Sequence, residues 1–361
     1  MTVNKYMAAC VPGAEEILKD EINTLIPGNN SVYSERGKVF FCCDLELHDL
    51  LRLRCADNIY RVLNRFNIGP HKKDLTQFYK NIARTDLTGL DELFIGAGLV
   101  SAQQTGERVT ARVTPTKKQM SVIVSASRSG KHTYSRYDLS DTATEALLST
   151  GKFTAGNEAN HVLAFRIDVK DDVCLFSVQL TSAEFRFRGE NFYSSRGGIR
   201  PTVAHCLVRV SQPKNNDVFY DPFCGAGTIA YERSSYKYKK IFASDIDIEA
   251  MNTARRNLSK DIILFQEDAL KTRIKSNSID SVVTNMPWGK QIKSDDLPGL
   301  YDGFIKELKR ILKADGKAGI LTDQNDLLYK ACDISGFKLD CAAELSLHGL
   351  HPKIYILTKK R

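Results

Sequence analysis

The chain lacks any apolar run near the roughly 20 residues that span a bilayer, so no membrane segment is expected. It also lacks a Cys-x-x-Cys pair, and its 9 cysteines are odd in number. A zinc ribbon and a disulfide framework are therefore not expected, no metal site is read, and the thiols are expected to be reduced. Glycine (23) and proline (10) are together under a tenth of the 361 residues, which excludes a collagen-like or linker chain. The first residues carry no long apolar core and soon reach the acidic pair Glu15-Glu16. Neither a signal peptide nor a transit peptide is expected, and the expected compartment is the cytoplasm.

What is present describes a folded chain. Hydrophobic residues at 42% and charged residues at 26% match globular proteins rather than disordered ones. At roughly 100–200 residues per domain, the length predicts two or three domains. The net charge of +8 says little by itself, but its distribution says more. Between Arg108 and Tyr137 stand Arg108, Arg112, Lys117, Lys118, Arg128, Lys131 and Arg136, with no acidic residue. Such a run is either a solvated face or a phosphate-contacting surface.

Three units follow from the patterning. In the first, residues 1–69, Tyr6–Cys10 and Lys38–Cys43 read as strands, and Ala14–Leu25 and Leu45–Leu63 as helices. In the second, residues 70–190, Thr76–Ile82 reads as a helix and Arg108–Thr114 and Val122–Ser125 as strands. A helix over Asp141–Leu148 would be capped by Ser140. Phe165–Val169 and Val173–Leu180 read as a β-hairpin. In the third, residues 191–361, strands at Val218–Asp221, Ile241–Asp245, Ile262–Phe265, Ile279–Thr284 and Ala318–Thr322 alternate with helical segments. Two strand-like runs, Phe337–Leu345 and Lys353–Leu357, close the chain. This alternation predicts an α/β, doubly wound, mostly parallel sheet with a terminal antiparallel hairpin.

Two clusters carry chemistry. Asp221-Pro-Phe-Cys-Gly-Ala-Gly-Thr228 joins a strand to a helix, and Gly225 and Gly227 let backbone approach a ligand at the sheet's carboxyl edge. The third glycine of the dinucleotide fingerprint is absent, which disfavours a pyrophosphate. Asp221 suits a ligand ammonium, Asp245 at the next strand end suits ribose hydroxyls, and Asp268 suits an adenine amino group. A sulfonium amino-acid nucleoside fits this set. The second cluster is Asn285-Met-Pro-Trp-Gly289. An exocyclic base amine is a poor nucleophile because its lone pair is delocalised into the ring. The Asn285 side-chain oxygen and the Met286 carbonyl can accept its two N–H groups and localise that pair, Pro287 fixes the backbone, and Trp288 offers a face for an extruded base. A pyrimidine C5 transfer would need a cysteine in this loop, and none is there.

These motifs resemble the class I S-adenosylmethionine-dependent amino methyltransferases of the N-x-P-aromatic type. Cys10-Val-Pro-Gly-Ala-Glu15, Ser127–Tyr134 and Phe187-Arg-Gly189 are similar to the ferredoxin-like and THUMP modules of the THUMP-containing RNA guanine-N2 methyltransferases. The resemblance implies a Rossmann-like catalytic domain behind an α+β RNA-capturing region, S-adenosylmethionine as cofactor, and a tRNA guanosine at acceptor-stem position 6 or 7 as target. It implies cofactor contacts from Pro201, Thr202, Asp221, Phe223, Cys224, Gly225, Gly227, Thr228, Asp245, Ile246, Asp268, Ala269 and Asn285, and catalysis by Asn285, Met286, Pro287 and Trp288. RNA contacts are expected from Arg112, Lys117, Lys118, Arg128, Lys131, His132, Arg136, Arg188, Arg196 and Lys290. The chain is expected to act as a monomer, and a small activating subunit, as in some relatives, stays open. Ribosomal or small nuclear RNA, adenine N6, and an inactive RNA-binding protein stand as alternatives.

Overall fold

The computed structural model describes residues 4–26, 28, 30–44, 47–88, 90, 119–182, 184–189, 192–193, 198–289, 296–347 and 349–360. The expected strand at Arg108–Thr114 and the site residues Arg112, Lys117, Lys118, Arg196 and Lys290 lie outside these residues. Among the described residues no helix is long and apolar enough to cross a membrane.

The N-terminal half is built on one eight-stranded sheet. Its first part comprises β1 (Asn4–Ala9), α1 (Glu15–Leu25), β2 (Asn30–Glu35), β3 (Lys38–Cys43), the short α2 (Leu47–Leu50) and β4 (Asn58–Asn67). Next come α3 (Leu75–Ala83), β5 (Met120–Ser129), α4 (Arg136–Ser149), β6 (Phe153–Ala155), β7 (Leu163–Lys170) and β8 (Val173–Gln179). The strand order is β2-β3-β1-β4-β8-β7-β5-β6. β4 pairs antiparallel with β8, so the two units expected on either side of residue 69 share a single sheet.

Two expectations need correction here. The helix expected over Leu45–Leu63 is only the single turn of α2, and Asn58–Asn67 is a central strand between β1 and β8. Ile59-Tyr60-Arg61-Val62 is β-branched and aromatic, and two strand partners outweigh the helical spacing of the leucines before it. The cap of α4 is Ser135 rather than Ser140. The Ser135 hydroxyl accepts from Asp138 N, and the Asp138 carboxylate accepts from Ser135 N, a reciprocal box that starts the helix five residues earlier.

The C-terminal half is the expected α/β sheet. It contains α5 (Pro201–Val210), β9 (Val218–Asp221), α6 (Thr228–Arg233), β10 (Lys240–Asp245), α7 (Ile248–Asn257), β11 (Ile263–Gln266), β12 (Ile279–Asn285), α8 (Leu297–Ile311), β13 (Leu312–Thr322), α9 (Asn325–Ser335), β14 (Phe337–Glu344) and β15 (Lys353–Lys359). The order is β11-β10-β9-β12-β13-β15-β14, parallel except for β15, which runs antiparallel to both β13 and β14. The order reverses between β9 and its two neighbours, which opens a crevice at the carboxyl ends of β9 and β12. Helix α5, which the sequence reading did not mark, has Pro at its first position and is buried from Pro201 to Val208.

A buried charge cluster joins the two halves. Glu232 on α6 is fully buried and takes Arg188 Nε at 2.8 Å, Arg54 Nε at 2.8 Å and His205 Nδ1 at 2.9 Å. The other ring nitrogen of His205 faces Glu21 of α1 at 3.2 Å. Glu21 also accepts the backbone N–H groups of Arg54 and Cys55. An imidazolium donating from Nδ1 to Glu232 fits these distances, with Nε2 set between Glu21 and the Tyr236 hydroxyl, which lies 3.0 Å away. Burial opposes that charge, but the hydrogen bonds to Glu21 and Glu232 outweigh it and raise the His205 pKa above its ordinary value. All nine cysteines are free thiols, and seven of them are buried.

Candidate active site

The glycine turn leaves β9 with Asp221 as the last strand residue. Gly225 and Gly227 hold φ of 52° and 84°, the left-handed region that an L side chain enters at a cost. A Cβ on Gly227 would stand 2.7 Å from Leu258 Cδ1, so the turn is both strained and crowded for any other residue. Cys224 N donates to Ser244 O at 2.9 Å, and Gly225 N donates to Asp245 Oδ2 at 2.9 Å. These two bonds stitch the turn to the end of β10 and set Asp245 beside it. Ile246, next in the chain, is 68% exposed, an apolar side chain left in the open at the strand tip. Asp268 is exposed after β11, with one carboxylate oxygen on Leu270 N, and Ala269 is buried.

The two clusters of the sequence reading meet at β9 and β12. These strands pair in parallel, with Phe219 opposite Ser281 and Tyr220 opposite Val282. Continuing that register places Asp221 beside Val283, with Asn285 two residues further toward the carboxyl edge. Thr284 bridges them, its hydroxyl donating to Asp221 Oδ1 at 2.8 Å. The sequence reading did not select Thr284. Its neighbour Asn285 was the signal, since alternate strand residues face opposite sides of the sheet and one of the two must turn toward Asp221.

Three buried polar atoms here have no partner among the described residues: Asp221 Oδ2, Asn285 Oδ1 and Trp288 Nε1. Orphans of this kind cost stability unless a ligand satisfies them. Asp221 is fully buried, and burial raises its carboxyl to about 7, with Asp245 adding to the rise and the bonds from Thr284 and Phe223 N opposing it. The arrangement thus offers two acceptors in a shielded crevice and an aromatic face on half-buried Trp288.

Residues 188–352 match the RMKL-like methyltransferase domain family UPF0020. By that match residues 188–352 are a methyltransferase domain. It is 21% identical to the tRNA (guanine(6)-N2)-methyltransferase of Methanocaldococcus jannaschii, over 98% of this chain and 99% of that one. It is 24% identical to the Thermus thermophilus protein of the same name, over 96% and 97%. Among solved structures, TrmN from Thermus thermophilus matches with a TM-score of 0.79 and 22% identity over 99% of both chains. SMU.472 complexed with SAH matches at 0.70 and 16%, over 100% and 99%. The resemblance to the THUMP-containing RNA guanine-N2 methyltransferases and the class I methyltransferase fold are both borne out.

Several expected site residues stand elsewhere in the fold. Arg188, expected to face RNA, is a buried cation: besides Glu232, its Nη2 donates to Arg54 O at 2.6 Å, so its donors are spent inside the protein. Thr202, expected at the cofactor, is 1% exposed and donates its hydroxyl to Asp57 of the N-terminal half at 2.7 Å. Pro201 is buried as the opening residue of α5. Arg128, Lys131 and Arg136 are exposed at one end of the first sheet. Next to them lie Lys72 and Lys73, which the sequence reading passed over. Lys72 N donates to Thr133 Oγ1 and Thr133 N to Pro70 O, so the two loops form one basic end. His132 is half-buried with its Nε2 2.6 Å from Asp171 O, a loop-fixing contact.

Proposed function

We propose that this methyltransferase transfers a methyl group from S-adenosylmethionine to the exocyclic N2 of a guanosine in the acceptor stem of tRNA, at position 6 or 7. The observation that carries this reading is the pair of buried acceptors, Asp221 Oδ2 and Asn285 Oδ1, which have no partner among the described residues and stand on adjacent strand ends joined through Thr284. A cofactor with an ammonium and a base with an amine supply the donors these atoms lack. When bound, the cofactor provides an electrophilic methyl on a sulfonium. Asp221 would hold its ammonium, Asp245 its ribose hydroxyls and Asp268 its adenine amino group, while Gly225 and Gly227 give the backbone room. Phe223, Cys224, Thr228, Ile246 and Ala269 would line the same pocket. Asn285 Oδ1 and the Met286 carbonyl accept the two N–H bonds of the target amine and aim its lone pair, and Trp288 stacks on the swung-out base. The proton leaves after transfer, from a cationic nitrogen, so no strong base is required.

The residues before 191 would capture the tRNA, and those after it would carry the chemistry. The relatives named for guanine(6) support the acceptor stem over ribosomal or small nuclear RNA. The test uses labelled cofactor and unmodified tRNA transcripts. A transcript carrying A at positions 6 and 7 is expected to lose labelling; equal labelling would overturn the assignment to the acceptor stem.

Asp221 adds a pH dependence. With its carboxyl near 7, a cation binding there must displace a proton at lower pH. The dissociation constant of S-adenosylhomocysteine is expected to rise about tenfold for each pH unit below about 7 and to level off above it. Calorimetry across that range checks this, and Asp221→Asn should flatten the profile.

RNA capture is expected to be electrostatic. Arg128→Ala with Lys131→Ala should weaken tRNA binding, lower the log–log salt slope by about 2, and leave the methylated nucleotide unchanged. Filter binding at several salt concentrations measures the slope.

A further inference from the structure

Behind the Asn285–Trp288 loop stands a set of hydrogen bonds whose direction is forced. Gln324 N donates to Thr322 Oγ1 at 2.9 Å. Tyr301 Oη lies 2.5 Å from Thr322 Oγ1 and 3.2 Å from Pro287 O. Pro287 offers only a carbonyl there, so the tyrosine must donate to it. Each hydroxyl has one proton, so Thr322 donates to Tyr301. The chain therefore runs from Gln324 N–H through Thr322 and Tyr301 to Pro287 O. Tyr301 and Thr322 are both fully buried, and burial raises the Tyr301 pKa, which keeps its hydroxyl protonated. Gln324 Nε2 ties the following carbonyl, Trp288 O, at 3.2 Å, and Met286 N is held by Leu321 O at 3.1 Å.

These ties bracket one peptide group. The Met286 carbonyl lies between a fixed N–H on its own residue and a proline whose φ is set by its ring and whose carbonyl is anchored. The carbonyls of Pro287 and Trp288 are occupied, and Asn285 Oδ1 has no partner among the described residues, which fits the roles given above to Asn285 Oδ1 and Met286 O.

We infer that Tyr301, acting through Thr322 and Pro287 O, is a positioning residue that aims the Met286 carbonyl at the target amine. The inference rests on the roles given above to Asn285 and Met286. It deepens that reading by adding a support from α8 and β13 that no loop motif contains. The tyrosine never reaches the substrate; it removes a rotation from the loop that does.

The test is Tyr301→Phe, with Thr322→Val as a second, independent break in the same chain. Both variants keep side-chain shape. At saturating tRNA and cofactor, kcat is expected to fall by up to about 10²-fold in each, since small misplacements of a reacting group have effects of that order. The dissociation constants for S-adenosylhomocysteine and tRNA should stay within about twofold. The double variant should be little worse than either single one, because both cut one chain. The sole tryptophan, Trp288, gives a separate readout: its emission should shift in both variants. A kcat within twofold of the parent in Tyr301→Phe would overturn the positioning role. So would a matching loss of cofactor binding, which would mark a general packing defect. Asn285→Ala is run alongside. If it too stays active, the underlying reading of the loop has failed rather than the role of Tyr301 alone.

Discussion

Asn285→Ala is expected to lower methyl transfer by about 10²–10³-fold, the range seen when one preorganised polar group is removed from a reacting centre. Asn285 Oδ1 is buried without a partner among the described residues, so the side chain contributes little to folding and its loss should be nearly silent in stability. Cofactor binding should hold within about twofold, because Asp221 is anchored by Thr284 rather than by Asn285. Asn285→Asp separates the acceptor from the amide. A carboxylate still accepts N–H bonds, so this variant should retain more activity than the alanine. Single-turnover kinetics with saturating enzyme make the measurement, and full activity in the alanine variant would remove Asn285 from its assigned role.

The second large effect is on stability. Glu232 is fully buried and pairs with Arg54, Arg188 and His205, and these three cations hold its carboxyl down to about 2 against burial, which would raise it. Glu232→Ala leaves two guanidiniums and an imidazole beside an uncompensated hole. Breaking one partner of a buried ion pair typically costs about 3–5 kcal/mol. Chemical denaturation should show a loss of that size, and a loss under about 1 kcal/mol would contradict the geometry. The pH dependence has two edges. The Glu232 pKa is lowered from 4.5, so its contribution is present above about pH 4.5 and is lost as pH falls toward 2. The His205 pKa is raised above 6.5, so the imidazolium contribution is full below 6.5 and is lost as pH rises through the folded value. The clasp between the halves is thus strongest between these limits. Because Glu232 sits one turn beyond Gly227 and Thr228, loosening it should also weaken cofactor binding.

The C-terminal sheet was legible because its strands are short, apolar and punctuated by glycine, proline and aspartate. Val218–Asp221 stands as read, and the terminal pair β14–β15 is the hairpin expected from the last two runs. The glycine turn and the Asn285 loop carry their chemistry within a few consecutive residues, so local reading finds both. What joins them, the Thr284 hydroxyl on Asp221, depends on strand register, which appears only when the sheet forms. Tyr301 shows the same limit. In the sequence it is one member of the apolar stripe Tyr301, Phe304, Ile305 and Leu308, and its hydroxyl acquires a meaning only against Pro287 and Thr322. The clasp was less legible still, since Glu21, Arg54, Arg188, His205 and Glu232 come from five separate segments. Arg188 illustrates the consequence: a charge count reads every arginine as surface, while docking of the halves buries this one. The strand β4 was misread for a related reason, because a central strand draws its stability from two neighbours that local spacing does not reveal.

The central claim is that one crevice brings a sulfonium methyl to a guanine amine. The most direct measurement is incubation of the protein with isotopically labelled S-adenosylmethionine and unmodified tRNA, followed by digestion to nucleosides and identification of the labelled product. Label in N2-methylguanosine is the expected result. Label confined to another nucleoside, such as N6-methyladenosine, or no label in RNA while calorimetry shows the cofactor bound, would contradict it.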